Sequence, residues 1–223
     1  MILPLVAELL SRVGRRPAVE VCLDALRRGP REVRLAGLTD AAKTIVAAFT
    51  AASLSRPVLL LVDSNRRAEE LLEPLRYFFQ AFARRPASRV AFLPSQEVSP
   101  WEGRSPHAEI SEARASALWR IALGEADIVV APLEAAIMRL RDRSFYEGLA
   151  SQLERDQEVP QNEFLEHLTS VGYERRETVE SPGQFAVRGG IVDVFSPESI
   201  APVPVSYTHL NWLYANDYGI SRK

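Results

Sequence analysis

Apolar residues recur at three- and four-residue spacing from Leu5 to Leu26 (Leu5, Leu9, Val13, then Val19, Leu23, Leu26). Gly14 and Pro17 break the run, which predicts two short helices. From Glu32 the pattern becomes strand, loop, helix, repeated. A strand VRLAG (33–37), a turn at Leu38 to Asp40 and a helix from Ala41 to Leu54 lead past Pro57 into VLLLVD (58–63), which reads as a buried strand. A helix from Arg66 to Phe82 and a strand RVAFL (89–93) follow, then a Pro-rich loop from Pro94 to His107 that is long enough to suggest a task. A helix from Glu109 to Leu123, a strand ADIVVA (126–131) and a helix from Leu133 to Leu140 complete the series. Such alternation is the pattern of βαβ units around a parallel sheet, so residues 1–143 are expected to form an α/β domain.

After Arg143 the character changes. A linker-like stretch runs to Val159, and the helix EFLEHLTSVG (163–172) ends on Gly172, a suitable C-terminal stop. YERRETVE, the turn SPGQ, FAVRG and GIVDVF then alternate apolar and polar positions with period two. This predicts a small antiparallel sheet packed on the helix, hence a second, smaller α+β domain over 144–205. The last 18 residues, 206–223, carry three of the six tyrosines and do not match the rest in composition. They read either as an aromatic edge or as a frame-shifted or vector-derived tail, and they enter no functional argument.

Composition narrows the class of protein. With 223 residues, 47% hydrophobic and 25% charged, the chain has apolar material for one large domain or two small ones. A net charge of −2 argues against a surface wholly devoted to nucleic acid. The single cysteine, Cys22, excludes internal disulfides, and His107, His167 and His209 show no metal-ligand spacing, so no metal is expected. No apolar run approaches the roughly 20 residues of a membrane span, so a cytoplasmic protein with no membrane partner is expected. Of 27 basic residues only Lys43 and Lys223 are lysines, which makes Lys43 conspicuous.

Lys43 lies in Gly37-Leu38-Thr39-Asp40-Ala41-Ala42-Lys43-Thr44, between an expected strand and an expected helix. The segment matches the phosphate-loop template G-x-x-x-x-G-K-[ST] at every fixed position but one, Ala42. A glycine there lets backbone N–H groups close around a phosphate, the lysine neutralises it and the hydroxyl holds magnesium. The Ala42 Cβ narrows that nest, and Asp40 places negative charge where a polyanion would sit. Asp63 ends one apolar run and Pro132 follows another, but no Asp-Glu pair stands ready for Mg²⁺. Gly37, Ala42, Lys43 and Thr44 thus read as a degenerate nucleotide-binding loop. The plainer reading, a βα turn with Thr39 or Asp40 as helix N-cap, has the same consequence.

Five stretches together resemble the N-terminal, UvrB-like part of bacterial transcription-repair coupling factors. They are LAGLTDAAKTIVAAF (35–49), RPVLLLV (56–62), EVSPWEGRSPHAEISEARASALWRI (97–121), DIVVAPLEAAIMRL (127–140) and GYERRETVESPGQFAVRGGIVDVFSP (172–197), the last two being the most specific. The match ends near Val205. The resemblance implies an amino-terminal fragment of a longer chain: a helicase-like α/β domain with a degenerate phosphate loop, followed by an incomplete docking domain for UvrA. It also implies that this module recruits UvrA to a stalled RNA polymerase in transcription-coupled excision repair and contacts the motor of the intact protein. Contacts with RNA polymerase and DNA, and the ATP and Mg of the translocase, would belong to the part beyond residue 223. The fragment itself would hold no cofactor and carry no catalytic residue. The long aromatic hairpin of UvrB is missing: Trp101 is the one ring in the 94–107 loop, too few to clamp a strand.

Carried over by position, the resemblance assigns UvrA docking to Arg175, Arg188 and Phe195. If the flanking segments pair as an antiparallel hairpin around SPGQ, Arg175 and Arg188 fall opposite each other and project toward one surface, where guanidinium forks suit an acidic partner. An aromatic ringed by arginines suits a hot spot contributing ~2 kcal/mol or more. Alternatively, Arg175 and Arg176 pair with Glu174, Glu177 or Glu180 on a solvated face at ~0–1 kcal/mol, and Phe195 belongs to the core. Ser105, Pro106 and His107 read as a turn into the following helix, whose Glu109 and Glu112 complement its dipole. His167 has no partner to activate. Two competing readings are a working nucleotide site at Lys43 and Thr44, and a UvrB-type damage-verifying helicase fragment.

Overall fold

The computed structural model describes residues 8, 12, 16–29, 32–98, 107–150, 153, 159–197 and 199–206. Most of the first expected helix, together with Trp101, Ser105, Pro106 and the tail past Ser206, lies outside the described residues. The chain divides into two units, Met1–Pro106 with Arg120–Arg141, and His107–Trp119 with Asp142–Lys223.

In the first unit α1 (Pro17–Arg27) opens with a proline, whose missing N–H has no intrahelical partner to lose. Helix α2 spans Asp40–Leu54, strand β1 Val58–Val62, helix α3 Asn65–Ala83 and strand β2 Val90–Phe92. Helix α4 (Ala108–Ala122), strand β3 (Ile128–Pro132) and helix α5 (Leu133–Ile137) follow; the residues of α4 divide between the two units. The sheet is parallel with order β1-β3-β2, and both Val58 and Val90 lie beside Ile128. This accords with a parallel-sheet α/β class.

Helix α3 buries Ala68, Leu71, Leu75 and Phe79, a three-and-four spaced stripe. With Ala48 and Ala51 of α2 and with Val90, Ile128 and Val130 of the sheet, it forms the core of this unit. A fully buried side chain such as Leu75 or Phe79 contributes about 1.5–3 kcal/mol.

Two expectations fail here. The VRLAG segment forms no strand: residues 32–36 pair with nothing in a ladder, Glu32 accepts a 2.7 Å hydrogen bond from Arg34, and Leu35 is exposed. Alternation marks a chain fit for a sheet, but a strand also needs an edge to pair with. The VLLLVD run is not buried on both sides. Val58, Leu60 and Val62 pack into the core, whereas Leu59 and Leu61 are 56% and 47% exposed, as period-two geometry requires when helices cover one face.

The second unit contains α6 (Arg143–Glu147), α7 (Gln161–Ser170) and the strands β4 (Glu174–Arg175), β5 (Gln184–Arg188), β6 (Ile191–Phe195) and β7 (Val203–Ser206). Helix α7 ends where expected, with Gly172 at φ +98° and its N–H on the Thr169 carbonyl at 3.1 Å. Phe164 and Leu168 of the helix pack with Phe185, Val192 and Val205 of the sheet, burying one sheet face against α7.

The sheet order β4-β5-β6-β7 corrects the expected topology. The hairpin joins β5 to β6 through Gly189-Gly190, with Arg188 opposite Ile191 and Gly189 at φ +61°. Segment SPGQ makes no hairpin, and β4 runs parallel to β5, with Arg175 beside Phe185. The Gln184 side chain explains this: its Oε1 accepts the N–H groups of Glu180 (3.0 Å) and Ser181 (3.2 Å), folding the 176–183 loop onto the start of β5. The chain thereby re-enters the sheet in its original direction.

Among the described residues no helix is long and apolar enough to cross a membrane. In the first unit, the start of the Pro-rich loop hangs on Asn65, which is only 9% exposed. Its Oδ1 accepts the Ser95 N–H at 2.7 Å, and its Nδ2 donates to the Ser95 carbonyl at 3.2 Å and to Glu97 Oε1 at 2.6 Å. Asn65→Ala leaves those buried groups without partners, and denaturant unfolding should report a loss of about 1–3 kcal/mol.

Candidate functional site

Two regions contain the candidate residues. At the start of α2, Gly37 adopts φ +74°, Thr39 Oγ1 accepts the Ala42 N–H at 3.4 Å, and the Lys43 N–H bonds the Thr39 carbonyl at 2.9 Å. Thr39 is thus the N-cap, one of the two residues expected in that role. Lys43 Nζ reaches Asp40 Oδ1 at 3.2 Å, and the same oxygen pairs closely with the Arg67 guanidinium from α3. Arg67 also holds Glu70 at 2.9 Å.

The Arg67 hydrogen bond, with that of Lys43 second, holds the Asp40 carboxyl below its ordinary range, and Asp40 in turn raises Arg67. Glu70 is lowered as well, chiefly by Arg67 and then by Arg66. Thr44 is fully buried and its hydroxyl donates to the Ala41 carbonyl at 2.9 Å, so the oxygen faces its own helix. Ala42 is half-buried one residue before Lys43. Asp63 accepts the Ser64 hydroxyl at 2.8 Å.

In the second unit Arg175, Arg188 and Phe195 lie on neighbouring strands, but the structure does not bring them to one surface. Arg175 shares the side of Phe185 and the groove beside α7. Arg188 falls on the opposite side of β5 by the alternation of the strand, where it meets Asp193 at 3.8 Å and donates weakly to the Glu177 carbonyl at 3.4 Å. Phe195, opposite Gln184 and half-buried, has the same parity as Asp193 and so shares the Arg188 side. The expected facing pair of guanidiniums depended on the antiparallel hairpin and goes with it.

The alternative in which these arginines pair with acidic neighbours holds for Arg176, whose Nη2 lies 2.5 Å from Glu174. It does not hold for Arg175, which makes no ion pair among the described residues. Tyr173, at the entry to β4, hydrogen-bonds Ser196 at the end of β6, and burial pushes its phenol up. Arg67, Gln184 and Ser196 carry no local signal in the sequence. Each acts through a contact that only the fold creates.

Comparison with known proteins places this geometry in a class: residues 152–208, which hold α7 and all four strands of the second sheet, match the model of the UvrB interaction domain. The longer matches are to two kinds of protein. The chain is 31% identical over 197 residues to the transcription-repair-coupling factor of Myxococcus xanthus and 26% identical over 183 residues to that of Bacillus subtilis, covering 88% and 82% of this chain. It is 29% identical over 209 residues to UvrABC system protein B of Thermus thermophilus, covering 87% of this chain. The matches span 16% and 15% of the coupling factors and 30% of the UvrB protein, so the chain corresponds to a small part of each. Its resemblance to the UvrB-homology region of the coupling factors, carried in the sequence by the 35–197 stretches, holds.

The lowered Asp40 pKa fixes the sign of a pH effect. Stability from the Arg67–Asp40–Lys43 cluster is present above the ordinary aspartate value of about 3.9 and is lost as pH falls through the lower folded value. Thermal unfolding of Asp40→Asn against the unsubstituted chain should show a Tm gap at neutral pH that closes in that acid window.

Proposed function

We propose that this chain is a protein-docking module of DNA repair that binds UvrA through its second unit. The observation that carries the reading is the coincidence of two facts on one small domain. The UvrB interaction domain match covers 152–208, and within it Arg175 is exposed and makes no ion pair among the described residues, while Arg176 and Arg188 each reach an acidic neighbour. A guanidinium on a sheet edge with no acidic partner among the described residues is a ready fork for a partner carboxylate. Arg188 and Phe195 supply a second contact on the other side of the sheet. The longer proteins of the coupling-factor kind would use this module to bring UvrA to a stalled RNA polymerase, with the motor, polymerase and DNA contacts residing elsewhere in them.

In the first unit the phosphate loop of a helicase-like fold is, on this reading, a remnant that holds no nucleotide. Lys43 has its counter-ion in Asp40, and the Thr44 hydroxyl is committed to the Ala41 carbonyl. Both groups that a nucleotide and its magnesium would need are occupied by the protein itself. No nucleotide or metal enters the proposed role.

Two measurements test the reading. Arg175→Glu together with Arg188→Glu should weaken capture of purified UvrA about tenfold or more while leaving the far-UV circular dichroism unchanged, as for removal of hot-spot charges; undiminished capture refutes the assignment. A fluorescent ATP analogue should show no saturable binding to the unsubstituted chain. Tight binding that Lys43→Ala abolishes would restore the enzymatic reading.

A further inference from the structure

The second unit carries an open groove of about 450 Å³ between α7 and the edge of the sheet, lined by Leu165, Glu166, Thr169, Ser170, Arg175 and Phe185. The chemistry of its walls is decided by where the polar groups point. Thr169 Oγ1 donates to the Leu165 carbonyl at 2.8 Å and Ser170 Oγ to the His167 carbonyl at 2.7 Å. Both hydroxyl protons are therefore given to the helix backbone, and what these residues add to the groove is chiefly hydrocarbon. Leu165 and Phe185 complete an apolar floor.

Two charges remain, of opposite sign. Arg175 stands on the strand side and Glu166 on the helix side, and neither makes an ion pair with the other or with any described residue. Both side chains are exposed, in a unit where Arg143, Arg176 and Arg188 all reach an acidic neighbour. An apolar trough with a cation on one wall and an anion on the other, neither ion-paired among the described residues, is complementary to a ligand that is itself polarised in a fixed direction.

We infer that this groove is a docking slot for a short segment of UvrA that lays an apolar side chain on Leu165 and Phe185, offers a carboxylate to Arg175 and offers a cationic side chain to Glu166. The inference rests on the UvrA-docking reading above and adds to it the helix α7 face and the direction in which the segment lies. Arg175 acts as the bidentate anchor. Glu166 sets polarity and rejects a segment entering the opposite way. The Arg188 and Phe195 side of the sheet is a separate contact.

Binding of purified UvrA to the chain, followed by fluorescence anisotropy at low and raised salt, tests this with three variants. Thr169→Trp, which fills the slot without altering charge, should weaken binding about tenfold or more. Glu166→Lys should weaken it severalfold, with the difference shrinking as salt is raised. The exchange Glu166→Arg with Arg175→Glu keeps the net charge and reverses the polarity, and it should bind at least as poorly as Arg175→Glu alone. Circular dichroism and unfolding midpoints unchanged from the unsubstituted chain accompany the expected result, since all three positions are exposed. Unsubstituted chain that binds UvrA while Thr169→Trp and the charge exchange bind equally well overturns the slot and leaves docking through Arg188 and Phe195 standing. An unsubstituted chain that fails to bind UvrA overturns the docking reading itself, and the slot with it.

Discussion

Two backbone hydrogen bonds, Glu174 N–H to the Gly183 carbonyl and Arg176 N–H to the Phe185 carbonyl, both 2.8 Å, set the polarity of the second unit. They hold β4 parallel to β5 although only eight residues separate the strands in sequence, and parallel neighbours ordinarily need a longer crossover. The loop closes because Gln184 Oε1 takes two of its N–H groups and because Gly183, at φ +79°, turns its own N–H to the Phe195 carbonyl at 2.8 Å. Everything a partner can meet follows from that register. It puts Arg175 next to Phe185 and the α7 groove, and it puts Arg188 and Phe195 on the reverse side of the same sheet.

The first unit shows the same economy of contacts in a different role. A single Asp40 oxygen serves two cations, and the cluster it builds joins the first turn of α2 to α3. Its members are between 29% and 50% exposed, and ion pairs so open to solvent add little to stability. Their consequence is occupancy: the lysine that makes the sequence look like a phosphate loop is already neutralised. On the docking account, the α/β unit serves as a scaffold and the chemistry of recognition lies in the second unit.

Much of this was legible in the sequence. The runs around 58–63, 89–93 and 126–131 became β1, β2 and β3, and the helices came from apolar spacing that packing reinforced. VRLAG also reads as a short strand and still forms none, because pairing is a property of two segments and a pattern reports one. SPGQ has good turn chemistry, but turn residues do not say which strands they join. The hairpin went instead to Gly189-Gly190, where two glycines meet the demands of a two-residue loop. Arg175, Arg188 and Phe195 were legible as candidates through family resemblance. Glu166 and Thr169 were not, because the polar face of a ten-residue helix reads as solvated until a strand is seen beside it.

The account makes recognition the property of the second unit, α7 with β4, β5 and β6, and gives the phosphate-loop-like segment 37–44 no ligand. Hydrogen exchange read by mass spectrometry, on the chain alone, with UvrA and with ATP, measures both halves of that statement at once. It predicts slowed exchange at residues 165–188 in the presence of UvrA and no change at 37–44 with ATP. Protection at 37–44 by ATP, with none at 165–188 by UvrA, would contradict it.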